Sequence, residues 1–166
     1  MQHFKLTIPG QPKGKQRPQF NSVNPHGYTP TQTLNYEAYV KWFIYQQWDK
    51  GVFASWTNAK EPLVLFCASW HELPASKSKD WKNAKNTLYH VSKPDFDNVA
   101  KIVADSLNKL VFPDDAQIAA SQSFKIYAPP GKPGFVNVDI YPLAGATPQL
   151  FYDYANAAMH SKVLAD

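Results

Sequence analysis

The amino-acid sequence predicts a single α+β domain with a mixed β-sheet and helices packed on one face. A chain of 166 residues is most simply one domain and is long enough to bury a hydrophobic core. Period-two alternation or a continuous apolar run predicts strands, and a period near 3.6 predicts helices. These segments follow in the order strand–helix–strand–helix–strand–strand, which is typical of the α+β class.

The first half supplies a strand and a long helix. Apolar and polar residues alternate over residues 3–8, and Pro9-Gly10 ends this strand. A loop rich in proline and glycine follows. Apolar residues then recur with helical spacing from about residue 33 to residue 50, on a wide face that includes Leu34. Gly51 is suited to end this helix.

The middle of the chain supplies a second strand and two helices. Residues 63–70 form a nearly continuous apolar run, as in a central strand, and a short lysine-rich helix is expected within 71–89. Residues 90–118 hold five of the thirteen acidic residues and enclose a further helix. Its apolar face is predicted at Val99, Ile102, Val103, Leu107 and Leu110.

The last part of the chain predicts two more strands and a tail. Residues 118–127 and 135–141 have strand patterns, and the loop APPGKPG between them predicts an antiparallel hairpin. Residues 1–143 are therefore assigned to the domain. Residues 144–166 are assigned to a C-terminal extension that includes a short helix.

Charge is distributed unevenly along a chain with a net charge of +4. Residues 1–36 contain basic residues and no acid, residues 76–85 have a net charge of +3, and residues 93–115 have a net charge of −2. An acidic centre between basic segments suits a metal-dependent enzyme acting on a polyanion, although two solvated basic loops would give the same pattern. The candidate DNA-binding residues are Lys13, Lys15, Arg17, Lys77, Lys79, Lys82 and Lys93.

Composition excludes several other classes. The chain is 44% hydrophobic and 14% aromatic, which indicates a folded domain. No apolar run reaches the ~20 residues of a membrane span, and the N-terminus lacks a secretory signal. Cys67 is the single cysteine, so no internal disulfide can form and a cytoplasmic location is expected.

The acidic centre has the residue types of a metal site. Asp95 and Asp97 are one residue apart in backbone that Pro94 biases to be extended, so their carboxylates can converge. Such hard oxygen ligands suit Mg²⁺, with Mn²⁺ as a second option. One of Asp114 and Asp115, on the loop beyond the helix, can complete the site.

Asp105 is assigned a supporting role. It follows Asp97 by eight residues, about 12 Å along a helix axis, which is too far for the same ion. A salt bridge with Lys101 or Lys109, each four residues away, is its expected interaction.

Other interpretations of the acidic cluster are weaker. A calcium EF-hand loop fails because its glycine and its final glutamate are missing. The nucleophile motif of aspartate-dependent phosphatases should end a hydrophobic strand, which is absent before Asp95. A helix N-cap role for Asp97 leaves the second acidic pair unexplained.

The central motif resembles that of the RusA-type Holliday-junction resolvases. It reads H-x-x-K-P-D-x-D-N-[hydrophobic]-x-K-x-x-x-D-[small]-L-N, followed by D-D-x-Q-[hydrophobic]. With similar basic segments at PGQPKGKQRPQF and SKSK, the resemblance covers about residues 3–142. Lys109 stands where many relatives have glycine, at a helix end. The matching positions are His90, Lys93, Pro94, Asp95, Asp97, Asn98, Val99, Lys101, Asp105, Ser106, Leu107, Asn108, Asp114, Asp115, Gln117 and Ile118.

The resemblance implies a small, dimeric, Mg²⁺-dependent endonuclease of the kind often encoded by phages and prophages. It implies that Asp95, Asp97 and Asp115 are metal-binding and catalytic, with Asp114 as the alternative to Asp115. It implies Lys101 as the catalytic lysine, whose ammonium can offset charge that develops on the reacting phosphate.

The leading hypothesis is a structure-selective endonuclease that resolves four-way (Holliday) junctions in DNA recombination and repair. By resemblance, its products carry a 5′-phosphate and a 3′-hydroxyl. A two-fold homodimer suits paired symmetric nicks because two sites can cut two strands. The alternatives are a non-catalytic junction- or DNA-binding module and a metal-dependent phosphatase. The expected setting is the cytoplasm of a bacterium, with a bacterial or phage gene and no membrane partner.

Overall fold

The computed structural model describes residues 3–20, 27–48, 56–84 and 87–160, and its strands form one mixed sheet of order β1-β4-β2-β3. The predicted α+β class and mixed sheet are confirmed. The strands are β1 (Phe4–Pro9), β2 (Leu63–His71), β3 (Ile118–Tyr127) and β4 (Phe135–Pro142). The helices are α1 (Thr31–Trp48), α2 (Ser78–Asn83), α3 (Phe96–Leu107) and α4 (Pro148–Met159), with 3₁₀ turns at Ala75–Lys77, Asp115–Gln117 and Leu143–Gly145.

The antiparallel hairpin predicted for the last two strands is wrong. β3 pairs in parallel with β2, whereas β4 lies between β1 and β2 and is antiparallel to both. Burial explains this order, because β4 fully buries Val136, Val138 and Ile140, while β3 keeps half-exposed polar residues such as Gln122 and Ser123 and lies at the edge. The segment that contains α3 supplies the crossover that a parallel pair requires.

One face of the sheet packs against α1 and α3. Alternate residues of β1 and β4 point toward these helices and form the main hydrophobic core with them. The predicted face of α3 is confirmed at four positions, but the helix ends at Leu107, so Leu110 packs on the core from the following turn. The buried residues of α3 in this core are Val99, Ile102, Val103, Ala104 and Leu107.

The opposite face of the sheet is covered by α4. The ring of Phe66 on β2 lies 5.1 Å from the ring of Phe151 and 4.6 Å from that of Tyr154. Thr147 caps this helix by accepting a hydrogen bond from the Leu150 N–H. The prediction of helices on one face is therefore wrong, since the tail helix packs on the other face. The division of the chain at residue 143 stays a prediction.

α1 carries apolar residues on two sides. Tyr36, Val40 and Ile44 are buried in the core. Leu34 was predicted on that buried face, but it is 51% exposed because it lies on the outer side of the helix. The predicted helix end at residue 50 and its Gly51 cap lie outside the described residues.

Two shorter segments agree with the sequence. α2 and the 3₁₀ turn before it provide the short lysine-rich helix expected within residues 71–89. Lys109 follows the end of α3 with φ = +63°, a left-handed conformation that favours glycine, at the position where the motif that this sequence resembles often has glycine. Across the described ranges, no helix is long and apolar enough to cross a membrane.

Candidate active site

Asp95 lies immediately before α3, in extended backbone with φ = −68° and ψ = 151°. Lys93 Nζ donates hydrogen bonds to both Asp95 carboxylate oxygens, at 2.8 and 2.6 Å, and the Asn98 amide lies 3.5 Å from Oδ2. The hydrogen bonds from Lys93 hold the pKa of Asp95 below its ordinary value, and the positive charges of Lys125 and Arg17 add to this effect. Asp95 is therefore a carboxylate at neutral pH.

Asp97 lies in the first turn of α3 and is exposed. With Asp95 it lines a pocket of about 470 Å³, which Phe96 and Lys125 complete. Lys101 lies one turn further along the helix and is also exposed. The structure thus brings Asp95 and Asp97 together, as the sequence predicted, and adds Lys125 from β3.

A basic cleft of about 740 Å³ borders the same acid. The N-terminal loop, residues 11–19, forms one side of it, and residues 93–98 form the other. Lys13, Arg17 and Lys93 line this cleft together with Asp95. Basic side chains from two distant segments therefore meet at the candidate catalytic carboxylate.

Gly14 allows this loop to pack closely on the start of α3. A Cβ atom at Gly14 would lie 2.6 Å from the Cβ of Pro94 and 3.3 Å from that of Asn98, closer than side chains normally approach. The Lys15 N–H donates to the Asn98 carbonyl at 2.8 Å and fixes the register of the loop against the helix. The position of the basic side chains relative to Asp95 is thus set by backbone contacts.

Lys15 lines the same cleft as the other basic residues of the loop, but its ammonium group is paired with two acids of the protein. Its Nζ lies 2.5 Å from Glu37 Oε1 and 2.8 Å from Asp105 Oδ2, and its side chain is 25% exposed. The expected salt bridge of Asp105 with Lys101 or Lys109 is therefore wrong, because Lys15 approaches the helix from outside and pairs with Asp105. Because Lys15 and Asp105 are far apart in the chain, no local sequence pattern indicates their contact.

Asp115 lies near the far end of α3. The Asn108 amide is 3.4 Å from Asp115 Oδ1. Burial raises the pKa of Asp115 above its ordinary value, and the negative charges of Asp105 and Asp114 raise it further. Asp115 is thus in an acidic environment, and the ion pairs among the described residues do not include it.

Asp114 has a structural contact. Its carboxylate accepts a hydrogen bond from the Ala116 N–H at 2.9 Å, and the Gln117 side chain accepts one from the Asp114 N–H at 3.3 Å. These two bonds form a capping box around the 3₁₀ turn Asp115–Gln117. The carboxylate of Asp114 is therefore already engaged in holding the local backbone.

The acids are not assembled into one cage. Within the described ranges, no group of three or more His, Cys, Asp or Glu side chains is placed to hold a metal ion. Asp95 and Asp97 share one pocket, while Asp115 contacts Asp105 and Asn108. The role of Asp115 as a third ligand stays a prediction.

The second basic segment lies on and just before α2. Lys77 is 3.8 Å from Asp80 and its Nζ lies 6.0 Å from the centre of the Tyr127 ring, while Lys79 and Lys82 are exposed. The cleft and the pocket at Asp95 are lined by other residues. DNA binding by these three lysines stays a prediction.

Comparison with known proteins gives a family match. The family model described as Endodeoxyribonuclease RusA matches residues 9–140, which include the basic loop, α3, β2, β3 and most of β4, but only the last residue of β1. A protein of Bacillus subtilis (strain 168), described as the uncharacterized protein YqaN, is 28% identical over 134 residues. That alignment covers 77% of this chain and 90% of the relative.

Proposed function

Because the chain belongs to the RusA endodeoxyribonuclease family, we propose that it resolves four-way DNA junctions by paired symmetric nicks in a Mg²⁺-dependent reaction. The family consists of Holliday-junction-resolving endonucleases, which generally depend on a divalent metal. The proposal extends this to the identity of the ion, the products and the residues. A bacterial or phage origin and a cytoplasmic place of action belong to the same proposal.

The observation that carries the proposal is the cleft in which the basic loop meets Asp95. Phosphate groups of a DNA backbone would bind Lys13, Arg17 and Lys93, since contacts of this kind supply most of the sequence-independent affinity for DNA. The same contacts would bring a phosphodiester to Asp95 and Asp97. Binding and cleavage would thus use adjacent parts of one surface.

Asp95 and Asp97 fit a divalent ion. Both offer carboxylate oxygens to a pocket that is open to solvent, and Mg²⁺ is commonly held by one or two carboxylates together with waters and a substrate phosphate. We include Asp115 as a further ligand because burial and neighbouring negative charges raise its pKa, and a bound cation would relieve that repulsion. Asp115 is preferred to Asp114, whose carboxylate caps a 3₁₀ turn.

The residues of the chain would divide the reaction between them. When bound, the divalent ion supplies Lewis acidity and lowers the pKa of water for attack on phosphorus. Asp95 and Asp97 hold the reacting groups in place, and Lys93 keeps Asp95 ionised. Lys101 offsets negative charge on the phosphate as the P–O3′ bond breaks, which leaves a 5′-phosphate and a 3′-hydroxyl.

A two-fold homodimer would provide the two sites for symmetric nicks. The outer side of α1 supports this part of the proposal, because it exposes large apolar residues outside the core. Trp42 is 56% exposed, Tyr45 is 57% exposed and Leu34 is 51% exposed. A second copy of the chain is the partner proposed for this stripe, and sedimentation of the wild type and of Trp42→Glu tests it.

The proposal is tested on a synthetic mobile four-way junction with and without Mg²⁺. Asp95→Asn should bind the junction as the wild type does and should fail to nick it. Asp153→Asn, which changes an exposed aspartate on α4, serves as the matched control and should nick normally.

Three outcomes would overturn the proposal. Wild-type nicking by Asp95→Asn would remove Asp95 from the reaction. Binding without cleavage in any divalent ion would indicate a DNA-binding module. Turnover of a phosphomonoester with no junction preference would indicate a phosphatase.

A further inference from the structure

We propose that Lys125 is a second catalytic lysine, which reaches the scissile phosphate from the sheet while Lys101 reaches it from the helix. The inference rests on the proposed nuclease function and adds a residue to it. Lys125 lies on β3, outside the acidic motif, and lines the pocket of Asp95 and Asp97. Its position follows from tertiary pairing alone.

Lys125 is attached at both ends to the segment that leads into the acidic pair. Its carbonyl accepts a hydrogen bond from the His90 N–H at 3.0 Å, and its Nζ donates to the Ser92 carbonyl at 2.5 Å. The Tyr127 N–H donates to the Leu88 carbonyl at 2.9 Å, so residues 88–92 lie along the outer edge of β3. Asp95 follows three residues later, and its position relative to Lys125 is therefore fixed by a short, hydrogen-bonded segment.

Two stacked histidines hold this segment against the sheet. The rings of His71 and His90 are 3.9 Å apart with an angle of 8° between their planes, and His71 on β2 is fully buried. His71 Nε2 lies 3.2 Å from Ser69 Oγ, which donates to the Phe124 carbonyl. Lys125 thus extends from a rigid frame of β2, β3 and residues 88–92, as preorganised charge stabilisation requires.

The ammonium group of Lys125 has donors left for a ligand. An ammonium carries three N–H donors, and the Ser92 carbonyl accepts one. Among the described residues, the ion pairs within 4.0 Å do not include Lys125, because Asp95 pairs with Lys93 instead. A positive group therefore faces two carboxylates across an open pocket without pairing with either.

A phosphodiester between the carboxylate side and Lys125 would satisfy both sides of the pocket. In hydrolysis a water oxygen bonds to phosphorus and the water releases a proton to solvent, while the P–O3′ bond breaks and the 3′ oxygen leaves and takes a proton from solvent. Lys125 forms no covalent bond and transfers no proton in this step. It donates hydrogen bonds to a non-bridging oxygen, whose negative charge grows in the transition state.

Single-turnover nicking of the synthetic junction in Mg²⁺ tests the rate effect. Lys125→Gln keeps an amide donor for the Ser92 carbonyl but removes the charge, and it should slow nicking about 100-fold. Lys125→Arg should retain more activity than Lys125→Gln. The matched control is Lys132→Gln, at an exposed lysine that lines a cavity on the α4 side of the sheet, and it should nick normally.

A binding measurement separates phosphate contact from a purely structural role. A junction with one neutral methylphosphonate at the scissile position should bind the wild type more weakly, in chelator, than the unmodified junction does. Lys125→Gln should show a smaller difference between the two junctions, because only Lys101 still contacts that phosphate. Equal weakening in both proteins would overturn the inference.

Two further results keep this inference distinct from the proposed function. If the wild type nicks, Asp95→Asn does not and Lys125→Gln nicks at the wild-type rate, the nuclease assignment stands and the role of Lys125 is wrong. If Lys125→Gln is unstable, Lys125→Cys replaces it. Alkylation of that variant with bromoethylamine should restore nicking, and alkylation with iodoacetamide should not; equal activity of the two products would overturn the inference.

Discussion

The two ends of α3 place the same residue type in opposite environments. At the first end, Asp95 and Asp97 face an open pocket, and hydrogen bonds from Lys93 hold the pKa of Asp95 below its ordinary value. At the far end, Asp115 lies against Asp105, and burial followed by nearby negative charge raises the pKa of Asp115. One helix therefore separates a charged, accessible pair of acids from a crowded one.

The difference shows that a count of carboxylates does not define a functional site. Positive charge at the first end comes from several elements and leaves the acids accessible to a ligand. At the far end, Lys15 bridges Asp105 and Glu37, while Asp115 lies beside the negative charges of Asp105 and Asp114. The acids of the first end are thus accessible to a cation and a phosphate, while Lys15 at the far end fastens the basic loop to the helix.

Substitution of one acid at each end should give the largest contrast. We expect Asp97→Asn to slow nicking at least about 1,000-fold, because it removes an exposed carboxylate that we propose as a metal ligand. Asp105→Asn should slow it only about 10-fold, through displacement of Lys15 and Asp115. Single-turnover rates on a four-way junction in Mg²⁺ measure both. Equal losses would show that the two ends act as one site.

The close packing of the loop on α3 gives the next effect. Gly14→Ala should slow nicking about 10–100-fold, because the added Cβ would lie 2.6 Å from Pro94 Cβ and would displace the basic loop from Asp95. Gly131→Ala is the control. It has φ = +75° and open space around it, so it should lower stability by about 1 kcal/mol with no change in the nicking rate. A normal rate for Gly14→Ala would indicate that the loop position is unimportant.

Substitution of Lys15 should affect the stability of the protein more than its affinity for DNA. Lys15→Gln leaves Asp105 and Glu37 without their common partner, so the free energy of unfolding should fall by about 1–2 kcal/mol in denaturant titrations. Junction affinity should fall less than in Lys13→Gln or Arg17→Gln. Each of those two should reduce the slope of log K against log salt by about one. A similar salt slope for all three variants would contradict this division.

The smallest effects are opposite shifts in Tm, measured in chelator. The pKa of Asp115 is raised above 3.8, so its contribution favours folding below pH 3.8 and is lost as pH rises through the folded-state pKa. Asp115→Asn should therefore raise Tm at pH 7 by about 1–2 °C, and the gain should disappear toward pH 3. The pKa of Asp95 is lowered, so its contribution is present above pH 3.8 and is lost as pH falls. Asp95→Asn should therefore lower Tm at pH 7. If both variants shifted Tm in the same direction at pH 7, the two ends of α3 would not differ in the way described.

Local patterns predicted the elements well because burial repeats along them. The face of α3 follows from apolar spacing, and β2 follows from an uninterrupted apolar run. The hairpin prediction failed because it used the turn signals of the loop before β4 and ignored the partner strands. The polar residues of β3 indicate an edge strand, and the alternating buried residues of β4 indicate a strand inside the sheet. The helix between β2 and β3 indicates that these two strands pair in parallel.

The candidate site was predictable where its residues are neighbours in the chain. Asp95 and Asp97 converge because one residue separates them at the start of a helix. Lys125 could not be found in this way, since a single lysine in a strand has no distinguishing pattern until the strand is paired. The inward turn of Lys15 likewise depends on α1 and α3, which lie far from it in the sequence.

The segment that borders β3 also limits how copies of this chain can assemble. β3 is an edge strand, and an edge strand with open backbone groups can pair with a strand of another molecule. Here the backbone groups of Lys125 and Tyr127 are already bonded to His90 and Leu88. Two copies of the chain therefore cannot join their sheets by backbone hydrogen bonds across that part of the edge. Any symmetric contact between two copies there must be made by side chains.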